Sequence, residues 1–153
     1  MTIEDLLDPA ATAIRVSAAN KRQALSALSD IAARTLGVKA SVALEGLLAR
    51  EAAGSTGVGS GVAVPHARLE GLDRVRAVFV RLEQPVAFDA IDGQAVDLII
   101  ALFAPPEATS DHLRALARVS RLMRQPALRE QLRAAPTADA VYALLGQDHR
   151  AAA

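Results

Sequence analysis

The sequence predicts a single α/β domain in which a mixed β-sheet is flanked by helices on its faces. Its 153 residues suit one hydrophobic core rather than two. Three runs have the composition of β-strands, and one of them is apolar on both sides, as a central strand covered by helices should be. Other segments place apolar residues at the spacing of one helical face. No segment has the composition of an interdomain linker.

Two helices are predicted in the first third of the chain. Residues 20–36 carry an apolar stripe, and Gly37 follows as a C-terminal stop. Ser41 is suited to cap the start of a second helix, which Gly54 ends. We therefore expect two helices before the first of the strands.

Three runs in the middle of the chain predict the sheet. Residues 61–65 are a short β-branched run that follows a cluster of glycines. Residues 76–82 alternate and are rich in Val and Phe, which is typical of a strand. Residues 96–104 are apolar on both sides beyond Asp97, so we expect them to form the central strand.

Helices are predicted again in the last third. Thr109 or Ser110 caps a third helix that runs to about Arg124. Pro126 occupies a favoured first-turn position for a short fourth helix.

The C-terminus is predicted to lose its structure after one more helix. Residues 137–145 form this fifth helix, and Gly146 ends it. The domain therefore spans residues 1–146, and residues 147–153 are expected to be a disordered tail.

Composition excludes several classes of protein. The net charge is zero and only 22% of residues are charged, which argues against a disordered polyelectrolyte and against nucleic-acid binding. With no cysteine there is no disulfide, no thiolate nucleophile and no Cys-ligated metal. The start of the chain is acidic where a secretory signal would be basic, and no apolar run approaches the ~18 residues of a membrane span. We expect a cytoplasmic protein without membrane insertion.

His66 is the first candidate for chemistry. It follows the β-branched run and Pro65, whose fixed φ aims the next side chain rigidly. A histidine at a strand end commonly places a reactive group toward solvent. The alternative is a histidine in a surface turn without a catalytic role.

His112 is the second candidate. It shares a helical face with Leu116, Val119 and Met123, and it lies near the start of the predicted third helix. The positive end of that helix is expected to lower its pKa and keep the ring neutral. The alternative is a core histidine whose hydrogen bonds are satisfied.

The glycine-rich run at residues 54–61 is not a nucleotide-binding motif. It lacks the Gly-Lys-Ser/Thr ending of a P-loop and precedes a strand rather than a helix. Ser55, Thr56 and Gly57 could still offer hydroxyl and backbone donors to an anion. A plain mobile connection is the alternative.

Arginines supply the candidate anion contacts. Arg50, in the last turn of the second helix, complements the helix dipole, and its guanidinium is also suited to hold a phosphoryl group. Arg114, Arg118 and Arg121 form a stripe on the third helix that is either a solvated face or a docking surface for an acidic partner. Without clustered carboxylates, the two histidines make a poor metal site.

These residues together resemble a known family. Residues 50–68 resemble the active-site signature of enzyme IIA of the bacterial phosphotransferase system, in the fructose/mannitol/nitrogen-regulatory class. Residues 88–98 and 112–116 are similar to two further segments of that family, in the same order. The resemblance covers about residues 3–146 and is nearest the nitrogen-regulatory subgroup, because the chain stands alone without fused carrier domains. It departs at Ala52, where lysine is frequent, and at Ala95, where proline is common.

The resemblance implies a function and a fold of the enzyme IIA mannitol/nitrogen-regulatory type. His66 would be phosphorylated on Nε2 by a histidine phosphocarrier protein (HPr-like), while Arg50 and His112 contact the transferred group. The loop at Ser55, Thr56 and Gly57 could supply further donors. No cofactor and no metal is implied. An unperturbed imidazole, with a pKa near 6.5, is about three-quarters neutral at pH 7 and is a competent nucleophile.

Three readings of the output stay open at this point. A phosphorylatable regulator would act through downstream target proteins, whereas a sugar-specific enzyme IIA would pass the phosphoryl group to an enzyme IIB. A metal-dependent enzyme that uses His66, His112 and Asp111 is a third, weaker alternative.

Overall fold

The computed structural model describes residues 1–152 of the chain, and the side chains of residues 1–147. In chain order the elements are α1 (Ile3–Leu6), β1 (Leu7–Val16), α2 (Lys21–Leu36), α3 (Ala40–Ala52), β2 (Gly57–Gly59), β3 (Val62–Ala63), β4 (His66–Arg68), β5 (Arg76–Val86), β6 (Val96–Ala104), α4 (Thr109–Met123), α5 (Pro126–Ala134) and α6 (Ala138–Ala152). None of these described helices is long and apolar enough to cross a membrane.

The strands form one mixed sheet of six strands, in the order β1-β5-β6-β3-β2, with β4 also paired to β6. β5 and β6 are antiparallel, whereas β1 runs parallel to β5, and β3 and β4 run parallel to β6. Helices α2, α3, α4 and α6 pack against strands of the sheet. The predicted α/β class with a mixed sheet and flanking helices is confirmed.

The core lies around β5 and β6. Every residue of β6 except Asp97 is buried, as expected of a central strand. β5 buries Phe79 and is longer than the predicted strand, extending to Val86. The apolar stripe of α2 packs against α3 and β5, and Gly37 ends α2 with a φ of 74°, as predicted.

β3 and β4 share one edge of β6 around a proline. Val62 pairs with Leu98 and His66 pairs with Leu102, so both strands keep the same offset along β6. Pro65 lies between the two strands, where it has no N–H to donate, and its carbonyl accepts a hydrogen bond from Leu102 N at 2.9 Å. The ladder is therefore interrupted without a change of register.

The predicted N-caps of α3 and α4 are wrong. α3 begins at Ala40 after Lys39, so Ser41 lies inside the helix and not at its N-cap. α4 begins after Ala108, which places Thr109 and Ser110 in its first turn. Neither N-cap has a side-chain hydrogen bond, so tertiary packing rather than capping sets these helix starts.

Gly146 does not end α6, which continues to Ala152. A Cβ atom at Gly146 would lie 2.5 Å from Glu4 Oε1, so a larger residue there would displace the end of that exposed side chain. The domain bounds, with residues 147–153 as a disordered tail, stay a prediction, and Ala153 lies outside the described residues.

Two elements near the N-terminus and one in the glycine run were not predicted. α1 is a single turn with a capping box between Thr2 and Asp5, and β1 follows it. Within the glycine run, Gly57–Gly59 forms β2 and pairs antiparallel to β3. The run is therefore part of the sheet and not only a mobile connection.

Candidate active site

His66 opens β4 instead of ending a strand, and the edge of β6 sets its direction. Its neighbour Ala67 is buried, while the imidazole is half-buried on the other side of the strand. Because successive side chains of a strand point to opposite faces, burial of Ala67 turns the ring of His66 outward. The ring therefore reaches the surface while its backbone stays in the sheet.

The hydrogen bonds of His66 define its tautomer. Nδ1 lies 3.0 Å from the carbonyl oxygen of Val64, and Arg50 Nε donates to Nε2 at 3.1 Å. A carbonyl only accepts and a guanidinium only donates. We therefore assign the proton to Nδ1 and the free electron pair to Nε2, so that Nε2 is the nucleophilic nitrogen.

Arg50 is held from both sides in the last turn of α3. Its Nη1 donates to the carbonyl oxygen of Gly54 at 2.8 Å while its Nε faces His66. Three atoms of the guanidinium carry donors in a fixed plane, so anchoring one edge orients the rest. An anion arriving at Nε2 of His66 would meet this fork directly.

His112 stands next to His66. The ring centroids are 5.3 Å apart and the rings meet edge to face at 81°. His112 is only 6% exposed, and its Nε2 is buried without a hydrogen-bond partner among the described residues. An unpaired buried polar atom costs about 1–3 kcal/mol, so an atom of this kind beside a nucleophile indicates a ligand that completes it.

Arg68 is a residue of this site that the sequence analysis did not single out. It lies two residues after His66 on β4, and its Nη1 donates to Pro106 O at 2.6 Å and to Thr109 Oγ1 at 3.2 Å. It thereby ties the end of β4 to the start of α4, which carries His112. The period-2 spacing from His66 is the signal that could have found it.

A surface cavity of about 470 Å³ connects these groups. Polar side chains line one part of it and small or apolar residues the rest: Gly46, Arg50, His66, Ala67, Arg68, His112, Leu113 and Leu116. The structure thus brings together three of the predicted site residues, His66, His112 and Arg50, from α3, β4 and α4.

The loop at Ser55, Thr56 and Gly57 is not part of this cavity lining, and its contact with an anion stays a prediction. Its donors have partners within the protein. The Ser55 hydroxyl donates to Phe88 O at 2.5 Å, and Gly57 N donates to Ser55 Oγ at 3.0 Å. The backbone N–H and the hydroxyl of Thr56 both donate to the carboxylate of Glu51. The loop is therefore fixed by its own contacts.

Burial is the main influence on the charge of His66. Desolvation lowers the pKa of His66 below the ordinary value of 6.5, and the nearby Arg50 cation lowers it further. The Val64 carbonyl and the Glu51 carboxylate act in the opposite direction. The ring is thus more fully neutral at pH 7 than an unperturbed imidazole would be.

The pKa of His112 is also lowered, as predicted, but the cause differs. Burial is the largest contribution, followed by the charges of His66 and Arg68. His112 N donates to Ala108 O at 2.9 Å in the first turn of α4.

These shifts predict a pH dependence. The unfolded chain takes up protons on His66 and His112 near pH 6.5, whereas the folded protein does so only at lower pH. Between those values the unfolded state binds more protons, so the free energy of unfolding falls as the pH drops below 6.5. NMR titration of the imidazole C–H signals, paired with urea unfolding at several pH values, checks this. A midpoint above 6.5 for His66 would contradict it.

The described side chains contain no group of three or more His, Cys, Asp or Glu that could hold a metal ion. Asp111, the third ligand of the metal-enzyme alternative, instead lies 3.4 Å from Arg114 on the exposed face of α4. The docking surface of Arg114, Arg118 and Arg121 stays a prediction.

Comparison with known proteins places these features in context. The family model described as "Phosphoenolpyruvate-dependent sugar phosphotransferase system, EIIA 2" matches residues 5–148. A nitrogen regulatory protein from Bradyrhizobium diazoefficiens is 43% identical over 145 residues, covering 95% of each chain. The crystal structure of nitrogen regulatory protein IIA-Ntr from Neisseria meningitidis has a TM-score of 0.85 and 33% identity, covering 94% of this chain and 98% of that one.

A more distant solved structure shares the fold alone. It is the complex of enzyme IIAMTL and phosphorylated enzyme IIBMTL from Escherichia coli, with a TM-score of 0.75 and 21% identity. The match covers 92% of this chain and 98% of that one.

Proposed function

Since the chain belongs to the EIIA 2 family of the phosphoenolpyruvate-dependent sugar phosphotransferase system, we propose that His66 Nε2 accepts a phosphoryl group and that the protein acts as a regulator. The donor would be the phosphohistidine of a histidine phosphocarrier protein in the cytoplasm. One observation carries the proposal: the electron pair of His66 Nε2 faces Arg50 Nε, and the ring of His112, whose Nε2 has no partner among the described residues, lies next to the His66 ring.

The bonds that break and form in the transfer involve only two imidazoles and the phosphoryl group. The donor nitrogen recovers its electron pair as its N–P bond breaks, and His66 Nε2 forms the new N–P bond with its own pair. The proton on Nδ1 stays in place and donates to the Val64 carbonyl at 3.0 Å. The phosphorylated ring therefore carries a positive charge, which balances part of the phosphoryl charge. Because one N–P bond replaces another, the reaction can run in both directions.

Arg50 and His112 supply what the transition state requires. Charge spreads over three equatorial oxygens, so donors fixed around the phosphorus accelerate transfer without covalent chemistry. Arg50 Nε exchanges its hydrogen bond to His66 Nε2 for one to a phosphoryl oxygen while Nη1 stays on Gly54 O, and His112 Nε2 gains the partner that it lacks among the described residues.

His112→Ala should slow phosphorylation about 10- to 100-fold without moving the label from His66, because it removes one stabilising donor and no nucleophile. Rapid-quench kinetics followed by peptide mapping checks both points. Transfer at the wild-type rate, or label lost from His66, would contradict the assignment.

Two observations bear on the output. The nitrogen regulatory relatives support a regulator whose phosphorylation adds up to two negative charges and so changes its protein contacts. The match to the sugar phosphotransferase family model supports the second candidate, a sugar-specific enzyme IIA that passes the group to an enzyme IIB.

The experiment that tests the proposal uses the purified protein with a phosphocarrier, its phosphorylating enzyme and phosphoenolpyruvate. We expect the mass to rise by one phosphoryl group, labile in acid and stable in base. Pull-downs with the phosphorylated and unphosphorylated protein then identify the output. Different partner sets support the regulator; identical sets together with rapid loss of the label to an enzyme IIB support the transport candidate. No mass increase would refute the phosphoacceptor itself.

A further inference from the structure

Glu51 is a buried carboxylate next to the site that the mechanism above does not use. It is 9% exposed at the end of α3. Lys21 Nζ lies 2.9 Å from its Oε1, Thr56 N donates to the same oxygen at 3.0 Å, and the Thr56 hydroxyl donates to Oε2. A glutamate is rarely buried unless it is paired in this way, so the three donors explain how it is accommodated.

We propose that Glu51 is a positioning residue for the phosphoryl transfer, which fixes Arg50 and His66 in place through Thr56. The inference rests on the proposed function of His66. In this proposal the loop at residues 54–57 orients the side chains that contact the phosphoryl group. The sequence analysis had instead predicted that the loop itself donates hydrogen bonds to that group.

The first route leads from Glu51 to Arg50. The carbonyl oxygen of Gly54 holds Arg50 Nη1 at 2.8 Å, and Gly54 N donates to Glu51 O at 3.0 Å. The Glu51 side chain fixes the other side of this short turn by binding Thr56. Gly54 has a φ of 147°, and because glycine adopts many backbone conformations, this turn keeps its shape only if contacts hold both of its ends. Without that tie, the anchor of the guanidinium shifts.

The second route leads from Thr56 to His66. Val64 N donates to Thr56 O at 3.0 Å, and Val64 O accepts from His66 Nδ1 at 3.0 Å. Thr56 is thus bound on one side to Glu51 and on the other to the residue whose carbonyl selects the tautomer of His66. A loosened Thr56 would weaken that selection.

Position rather than charge is the contribution of Glu51. Lys21 neutralises the carboxylate and is held in turn by the Phe88 carbonyl at 3.4 Å and the Phe88 ring at 4.7 Å. Among the influences on the pKa of His66, Glu51 is the weakest. A carboxylate paired with a cation in this way repels an incoming phosphoryl group less than an unpaired one would.

Glu51→Gln tests the proposal, with Glu45→Gln as the matched control because Glu45 is an exposed glutamate on the same helix. We expect Glu51→Gln to lower kcat for phosphorylation of His66 about 10- to 100-fold, with KM for the phosphocarrier within about twofold of wild type. Glu45→Gln should keep both constants. Wild-type kcat in Glu51→Gln would overturn the proposal.

A double-variant cycle separates positioning from general damage to the fold. If Glu51 acts through Arg50, adding Glu51→Gln to Arg50→Ala should cost no more than about threefold beyond Arg50→Ala alone. Losses that multiply in full would overturn the route through Arg50.

Nitrogen NMR of His66 provides a readout that does not depend on phosphorylation. The wild-type ring should be a single tautomer with the proton on Nδ1, whereas Glu51→Gln and Thr56→Val should show a mixture. Thr56→Val removes only the hydroxyl, so it decides the question if Glu51→Gln does not fold. A single tautomer in Thr56→Val would overturn the route to His66. If the wild type is not phosphorylated at all, the proposed function fails. The tautomer populations of His66 measured by NMR still show whether Glu51 orients that ring.

Discussion

Replacing His66 with alanine should abolish the acid-labile phosphoryl group completely, whatever the concentration of the donor. The neighbouring histidine and arginines cannot substitute. His112 Nε2 is buried, and an arginine is protonated at all relevant pH values and has no electron pair to offer. Intact-mass measurement after incubation with the charged phosphocarrier checks this result.

The variant should keep its fold, so that the loss can be assigned to chemistry. His66 is half-buried at the surface end of β4, and its removal leaves the buried side of β6 unchanged. Equal thermal unfolding of the variant and the wild type is the control. A full mass increment in His66→Ala would move the acceptor to another residue.

Arg50→Lys should slow phosphorylation about 100-fold, nearly as much as Arg50→Ala. In the structure Arg50 donates to Gly54 O and to His66 Nε2 at the same time, through different nitrogens of one plane. A lysine has a single ammonium group and cannot keep both contacts, although it keeps the charge. Rapid-quench kinetics on both variants measures the difference between geometry and charge.

The matched control for this pair is Arg22→Lys, because Arg22 is an exposed arginine on α2, away from the lining of the cavity. Its rate should equal that of the wild type. If Arg50→Lys kept the wild-type rate while Arg50→Ala lost it, charge alone would suffice and the fork would have no role.

The sequence predicted what short-range patterns can determine. The apolar face of α2, its glycine stop and the buried strand β6 all follow from periodicity and composition over a dozen residues. β1 was not predicted because its burial does not alternate and because Asp8 and Pro9 are typical of a turn. The N-caps of α3 and α4 were predicted wrongly because contacts with residues distant in sequence set where these helices begin.

The candidate site was predicted only in part, again because the sequence shows short-range patterns but not contacts between distant residues. His66, His112 and Arg50 carry chemistry in their side chains and could be singled out by type, and the fold brings them together. The role of the loop at residues 54–57 was missed because its donors are consumed by Glu51 and by Phe88, which lies more than thirty positions along the chain. No local pattern indicates that Phe88 returns to this loop.

The two residues between β3 and β4, one of which is Pro65, limit which changes of length this part of the chain can accept. Since β3 and β4 keep one offset along β6, the two residues between Ala63 and His66 act as a spacer of fixed parity. Lengthening or shortening that spacer by one residue would turn the imidazole into the hydrophobic interior and expose its neighbour. Insertions and deletions here should therefore be excluded more strictly than almost any point substitution.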